Sequence, residues 1–162
     1  MTHQAAQVVQ ADEAEHIPLP HGGGFHLLAD GGALGANRLA LGAGAPGARL
    51  HFHARSTELF YVLAGTVEFE LAGDTTAVGR GGLVLVPPGM PHAFGAAPGT
   101  PAEVLAVLSP GVERFGYFRS LGRIQHGLEP FESLLPAQER YDVHFVDRDG
   151  ARDGGGGSAT PS

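Results

Sequence analysis

His51 and His53 stand two apart in the run Gly47-Ala-Arg-Leu-His-Phe-His-Ala-Arg-Ser-Thr-Glu58. On an extended chain alternate residues share a face, so the two imidazoles project together with Cβ atoms about 6–7 Å apart. Both can then reach one cation at roughly 2.0–2.2 Å. Glu58 opens the next apolar run after a four-residue connection, Ala54 to Thr57. It brings a carboxylate to the same place if that strand runs back beside the first. His92 follows Val86-Pro-Pro-Gly-Met-Pro91, a rigid turn that re-aims the chain. The flanking Leu50 and Phe52 are apolar and face the other side, so neither face of this strand is an ordinary solvated one. There is no Cys in the chain, which removes thiolate sites, iron–sulfur clusters, disulfides and Cys nucleophiles. Any metal would be held by His and carboxylate.

The elements that must position these residues are short. The 162 residues include 26 Gly and 12 Pro with 43% hydrophobic residues, a composition for one domain of strands and tight turns rather than long helices. Strand-like runs are Phe25–Leu28, Asn37–Leu41, Arg49–His53, Leu59–Leu63, Val67–Leu71, Gly82–Val86, His92–Phe94 and Val104–Leu108. Val67–Leu71 and Thr75–Val78, split by Ala72-Gly73-Asp74, form a hairpin pattern. After Pro110 the pattern changes: Val112, Phe115, Phe118 and Leu121 recur at helical spacing. A weaker helical stretch covers Phe131–Arg140, and Val143–Val146 reads as a final edge strand. The expected division is a flexible leader 1–20, a β-barrel 21–110, a C-terminal helical segment 111–147 and a disordered Gly-rich tail 148–162.

The residues resemble the cupin superfamily, whose first motif is commonly written G(X)5HXH(X)3,4E(X)6G. Here His51, His53, Glu58 and Gly65 keep that spacing. Its second motif, G(X)5PXG(X)2H(X)3N, is matched by Gly81, Pro87, Gly89 and His92. The opening Gly of the first is Ala45 and the closing Asn of the second is Ala96; both are turn positions. The resemblance covers roughly residues 25–110. It implies an all-β fold, the cupin double-stranded β-helix or jelly-roll barrel, here with a short C-terminal helical segment. It also implies His51, His53, Glu58 and His92 as ligands of one divalent ion per chain. The run from Glu58 to Leu63, the Val86–Phe94 stretch and the Leu108–Gly111 entry to a Phe-rich helix are similar to the quercetin 2,3-dioxygenase-like branch of single-domain cupins.

Three imidazoles and one carboxylate suit Fe, Mn, Ni, Co or Zn alike. A redox-active ion there supports oxygen insertion, and a redox-inert one acts as a Lewis acid on an enolisable substrate. Glu58 either stays on the ion or leaves it to serve as the catalytic base, a role that a carboxyl raised by an apolar barrel can fill. Alternation puts Arg49, Phe60 and Phe94 at the substrate pocket, a lining suited to a flat aromatic molecule. The expectation is therefore a metal-dependent enzyme, an oxygenase first. The alternatives are a non-oxidative isomerase, lyase or polyketide-type cyclase, and a barrel that only binds a metabolite or metal.

A formal charge of -7 and ten scattered Arg argue against nucleic acid, which demands a basic patch. No apolar run approaches the roughly 20 residues of a membrane span, and the start lacks the pattern of a secretory signal. The expected compartment is the cytoplasm. The expected partners are a small-molecule substrate and a second copy of the chain, because small sandwiches expose strand edges.

Overall fold

The computed structural model describes residues 5–148; the tail expected from 148 onward lies outside them, save its first residue. Among the described residues, eleven strands form two antiparallel sheets that face each other as a jelly-roll barrel. The six-stranded sheet has the order β1 (Glu15–Pro18), β2 (Gly24–Ala29), β3 (Gly35–Leu41), β10 (Ala102–Ser109), β5 (Thr57–Ala64) and β8 (Leu83–Val86). The five-stranded sheet has the order β11 (His144–Phe145), β4 (Pro46–Phe52), β9 (His92–Ala96), β6 (Thr66–Leu71) and β7 (Asp74–Gly79).

Period-two alternation explains why these runs became strands. In β10, Ala102, Val104, Ala106 and Leu108 are buried while Glu103, Leu105 and Val107 between them are half-buried. In β5 the inward positions are Glu58, Phe60 and Val62. These side chains meet Val67 and Phe69 of β6, and Phe60 packs on Phe69 with ring centroids 5.2 Å apart. Burying residues of this size contributes roughly 1.5–3 kcal/mol each before entropy is counted, so the alternation fixes which face each strand turns inward. The expected hairpin is β6–β7, closed by Ala72 and Gly73, both at positive φ.

After β10 the chain leaves the barrel as helix α1 (Phe115–Gln125), a 3-10 segment (Phe131–Ala137) and the single-turn helix α2 (Gln138–Tyr141), then returns as β11 beside β4. Tyr117, Leu134, Val143 and Phe145 form a second apolar cluster there, which joins this segment to the barrel mouth.

The structure differs from the sequence reading at the N-terminus. Glu15–Pro18, inside the stretch expected to be leader, is a strand paired with β2. Its stabilisation comes from tertiary contacts. Ile17 packs on the core, and its Cγ2 crowds the space a Cβ on Gly122 of α1 would take. Glu15 and Arg119 form a two-point ion pair at 2.7 and 2.8 Å.

Candidate metal centre

Strands from both sheets build the site. β4 carries His51 and ends just before His53, β9 opens with His92, and His51 is paired with His92 in register. Glu58 comes from β5 in the opposite sheet, where it pairs with Leu108 and Val86. The β5 strand therefore does not run back beside β4, as the sequence reading required. It crosses to the facing sheet, and the carboxylate meets the imidazoles across the barrel. The rigid turn before His92 has Gly89 at φ +82 and a Met90 N–H donating to the Pro87 carbonyl at 3.3 Å, an arrangement that Pro88 and Gly89 suit. The Gly89 N–H donates to the His53 carbonyl at 2.7 Å, so this turn is fastened to the ligand strand.

All four side chains are buried, and their donor atoms lie within 4.8 Å of one another. Adjacent ligands at about 2.1 Å from one ion stand about 3.0 Å apart and opposite ones about 4.2 Å. The observed spread is close to what a single ion holds. Glu58 Oε2 is 2.6 Å from His53 Nε2 and 2.8 Å from His92 Nε2.

Each imidazole has its other nitrogen beside a backbone carbonyl. His51 Nδ1 donates to the Arg49 carbonyl at 2.6 Å, and His92 Nδ1 to the Met90 carbonyl at 2.9 Å. His53 Nδ1 lies 2.8 Å from the Asp142 carbonyl and 2.9 Å from Arg114 Nη2. It donates to the first or accepts from the second, since one ring nitrogen does not do both. With each Nδ1 donating, Nε2 is the nitrogen left free for a metal, the tautomer that ligation requires; without an ion, the His53 and His92 Nε2 atoms lie against Glu58 Oε2 instead. The donor set thus fits a divalent ion with His51, His53, His92 and Glu58 as its holders.

Electrostatics agree with a cation site. Burial, then the neighbouring His92 and His53 charges, push His51 well below its ordinary value. At Glu58 burial acts upward, but the His53 charge and the hydrogen bonds from His53 and His92 outweigh it and hold the carboxyl well below the usual carboxylate range. The sequence reading made the base role of Glu58 depend on a raised carboxyl. Its direction is the opposite, because two imidazoles face it rather than hydrocarbon alone.

A cavity of about 140 Å³ opens against this group, lined by His51, His53 and Glu58. His92 is wholly enclosed and lies behind them. Phe60, at zero exposure, and half-buried Phe94 are cavity walls. Arg49 also lines the cavity but is exposed, with its guanidinium 3.7 Å above the Phe131 ring. It is a mouth residue stacked on the C-terminal segment. Phe118 and Leu121 of α1 and Phe145 of β11 close the same cavity.

Three buried polar cavity residues escaped the sequence reading: Asn37, Arg114 and Tyr117. Asn37 is an inward-facing amide among Gly35, Leu39 and Leu41 of β3, and a polar break in an apolar alternation is the signal that marks it. Arg114 and Tyr117 are three apart at the start of α1, on one helix face. Asp142 was missed as well; its carbonyl reaches His53 from 89 positions away, and no local pattern carries that.

The cupin domain model matches residues 37–108, which include all four metal-site residues. No curated protein matches the sequence. Among solved structures, an RmlC-like cupin from Shewanella frigidimarina is 23% identical with a TM-score of 0.60, over 70% of this chain and 99% of that one. KdgF from Halomonas sp. is 24% identical with a TM-score of 0.58, over 65% and 94%. The polyketide cyclase RemF from Streptomyces resistomycificus is 22% identical with a TM-score of 0.54, over 65% and 80%. At these identities the likeness is one of fold. The cupin domain model thus spans the strands that carry the metal site, and the solved structures share the barrel.

Proposed function

We propose that the chain is a metal-dependent enzyme that acts on a small aromatic or enolisable substrate inside the barrel, with oxygenation as its first activity. The observation that carries this reading is the convergence of three carbonyl-anchored imidazoles and Glu58 at the end of a cavity walled by Phe60 and Phe94. When bound, the ion supplies either redox chemistry with oxygen or Lewis-acid stabilisation of an enolate. His51, His53 and His92 hold it from fixed ring positions, and Glu58 adds the one negative ligand. The Glu58 carboxylate is ionised in this setting, so it accepts a proton from a substrate hydroxyl only once its hydrogen-bond partners release it. The aromatic walls orient a flat substrate and exclude water from the reacting end.

A second reading keeps the site and dispenses with oxygen, as an isomerase, lyase or cyclase. The fold likeness to a polyketide cyclase favours it. Membership of the quercetin 2,3-dioxygenase-like branch belongs to the first reading, and both keep the cytoplasm as the compartment. Among the described residues no helix is long and apolar enough to cross a membrane.

Metal analysis of the purified chain, followed by oxygen uptake with phenolic and 1,3-dicarbonyl compounds, tests the proposal. Stoichiometric Fe, Mn, Ni or Co with substrate-dependent uptake is the expected result. Turnover without uptake selects the second reading. Metal-free protein whose activity survives His51→Ala and His92→Ala removes the site from the chemistry altogether.

A further inference from the structure

The cavity carries more polar capacity than the metal group uses. Arg114 is 5% exposed, and no carboxylate oxygen among the described residues forms an ion pair with it. Its Nε donates to the Tyr141 carbonyl at 2.8 Å, and Nη2 to the Asp142 carbonyl at 3.2 Å. Nη1 has no hydrogen-bond partner among the described residues. Yet no polar side-chain atom in them is both sealed and unpartnered. The small exposure of Arg114 is therefore at Nη1, and Arg114 lines the cavity.

Two more groups repeat this condition. Asn37, also 5% exposed and turned inward from β3, has no partner for its amide among the described residues. Tyr117, one helical turn beyond Arg114 and buried, has none for its hydroxyl. Burial pushes the Tyr117 phenol up, so it is a neutral donor. Both line the same cavity.

A guanidinium taken out of water with no carboxylate in hydrogen-bond contact is costly; the Glu58 and Asp142 charges offset part of that cost from a distance and the backbone carbonyls another part. Here it faces an apolar cavity beside a group built for a divalent cation. With a divalent ion bound, the positive charge of both sources would exceed the two negative charges, Glu58 and Asp142, that act on Arg114, and low-dielectric walls such as Leu39, Phe60 and Val104 strengthen the field. An anionic ligand answers this excess. Nη1 offers two N–H groups to a carboxylate oxygen, while the Asn37 amide and the Tyr117 hydroxyl suit its second oxygen or an adjoining carbonyl.

We propose that Arg114, Asn37 and Tyr117 form a carboxylate subsite, and that the substrate is a small enolisable carboxylic acid held by Arg114 with its reacting oxygen toward His51, His53 and Glu58. The substrate class rests on the enzyme reading above. The subsite itself does not, because its three groups lie outside the metal set.

The test is calorimetric titration of the full, metal-loaded chain with pyruvate and with phenylpyruvate, each against its methyl ester. Each ester has the same carbon skeleton without the charge. At least one acid is expected to bind about tenfold more tightly than its ester. Arg114→Gln abolishes that preference and Arg114→Lys keeps part of it. Because Arg114 also ties down two carbonyls, Tyr117→Phe and Asn37→Ala provide the check that leaves those ties intact. Each weakens the acid about threefold or more and leaves the ester unchanged. Equal binding of acid and ester by the wild type, binding of neither, or an unchanged preference in the variants overturns the subsite. Metal content of the same samples separates the two readings. Stoichiometric metal without acid preference removes the subsite alone, and acid preference without metal removes the metal enzyme alone.

Discussion

Asp142 joins the C-terminal segment to the metal site through both its backbone and its side chain. Its carbonyl faces His53 Nδ1, and its carboxylate accepts the Ala54 and Arg55 N–H groups at 2.8 and 3.0 Å, with His144 Nε2 at 3.1 Å. Burial acts upward on this carboxyl, but the two backbone donors, then His144 and Arg55, hold it below its ordinary value of 3.8. A folded-state value below the unfolded one adds stability that is complete above the unfolded value and lost as pH falls through the folded one. Asp142→Asn preserves the left-handed backbone, at φ 51 and ψ 44, which Asn tolerates. It removes the charge. The expected outcome at pH 7 is a loss of about 2 kcal/mol, with the melting-temperature gap to wild type narrowing as pH drops below about 4. A gap independent of pH would contradict the ionised role. At this scale the sequence was legible only where chemistry repeats at short range. His51, His53 and Glu58 lie within eight residues, and the turn before His92 has a recognisable grammar. Arg114, Tyr117 and Asp142 are single polar residues whose meaning arises when distant elements pack.

Strands with an apolar inward face could be read directly, because alternation is local and burial enforces it. The β1 strand could not. Its four residues, Glu15-His-Ile-Pro18, hold one strongly apolar side chain among polar neighbours, and its place depends on β2 and α1. Ile17 reaches the helix where Gly122 offers no Cβ, and His126 Nε2 donates to the Pro18 carbonyl at 2.9 Å. This predicts a sign reversal. Gly122→Ala should gain about 1 kcal/mol from helix propensity alone, yet in the wild-type background it destabilises, because the new methyl meets Ile17 Cγ2. In an Ile17→Ala background the same change stabilises. Denaturant unfolding of the two single variants and the double variant checks this; additive effects would show that β1 and α1 do not press on each other.

On the outer surface of the six-stranded sheet, Tyr61, Leu83 and Leu85 are 39%, 54% and 60% exposed. They belong to the paired strands β5 and β8, with Tyr61 opposite Leu83, and β8 is the last strand of its sheet. An edge of this kind invites pairing, and a two-fold contact would cover the same patch on both copies at once. The expectation of a homodimer is placed here. Sedimentation should give twice the 16.7 kDa of the chain, and Leu85→Glu should return it to a single copy with the metal site intact. A wild-type mass of one chain would overturn the assignment.

The enclosure of His92 has a chemical consequence. Of the four metal-site residues only His51, His53 and Glu58 border the cavity, so a flat substrate meets the metal group from one side. With Arg114 fixing one end of that molecule, its two prochiral faces are no longer equivalent. On the proposed reading, a new stereocentre formed at the reacting carbon is formed as a single enantiomer, with its handedness set by which way round Arg114 seats the acid.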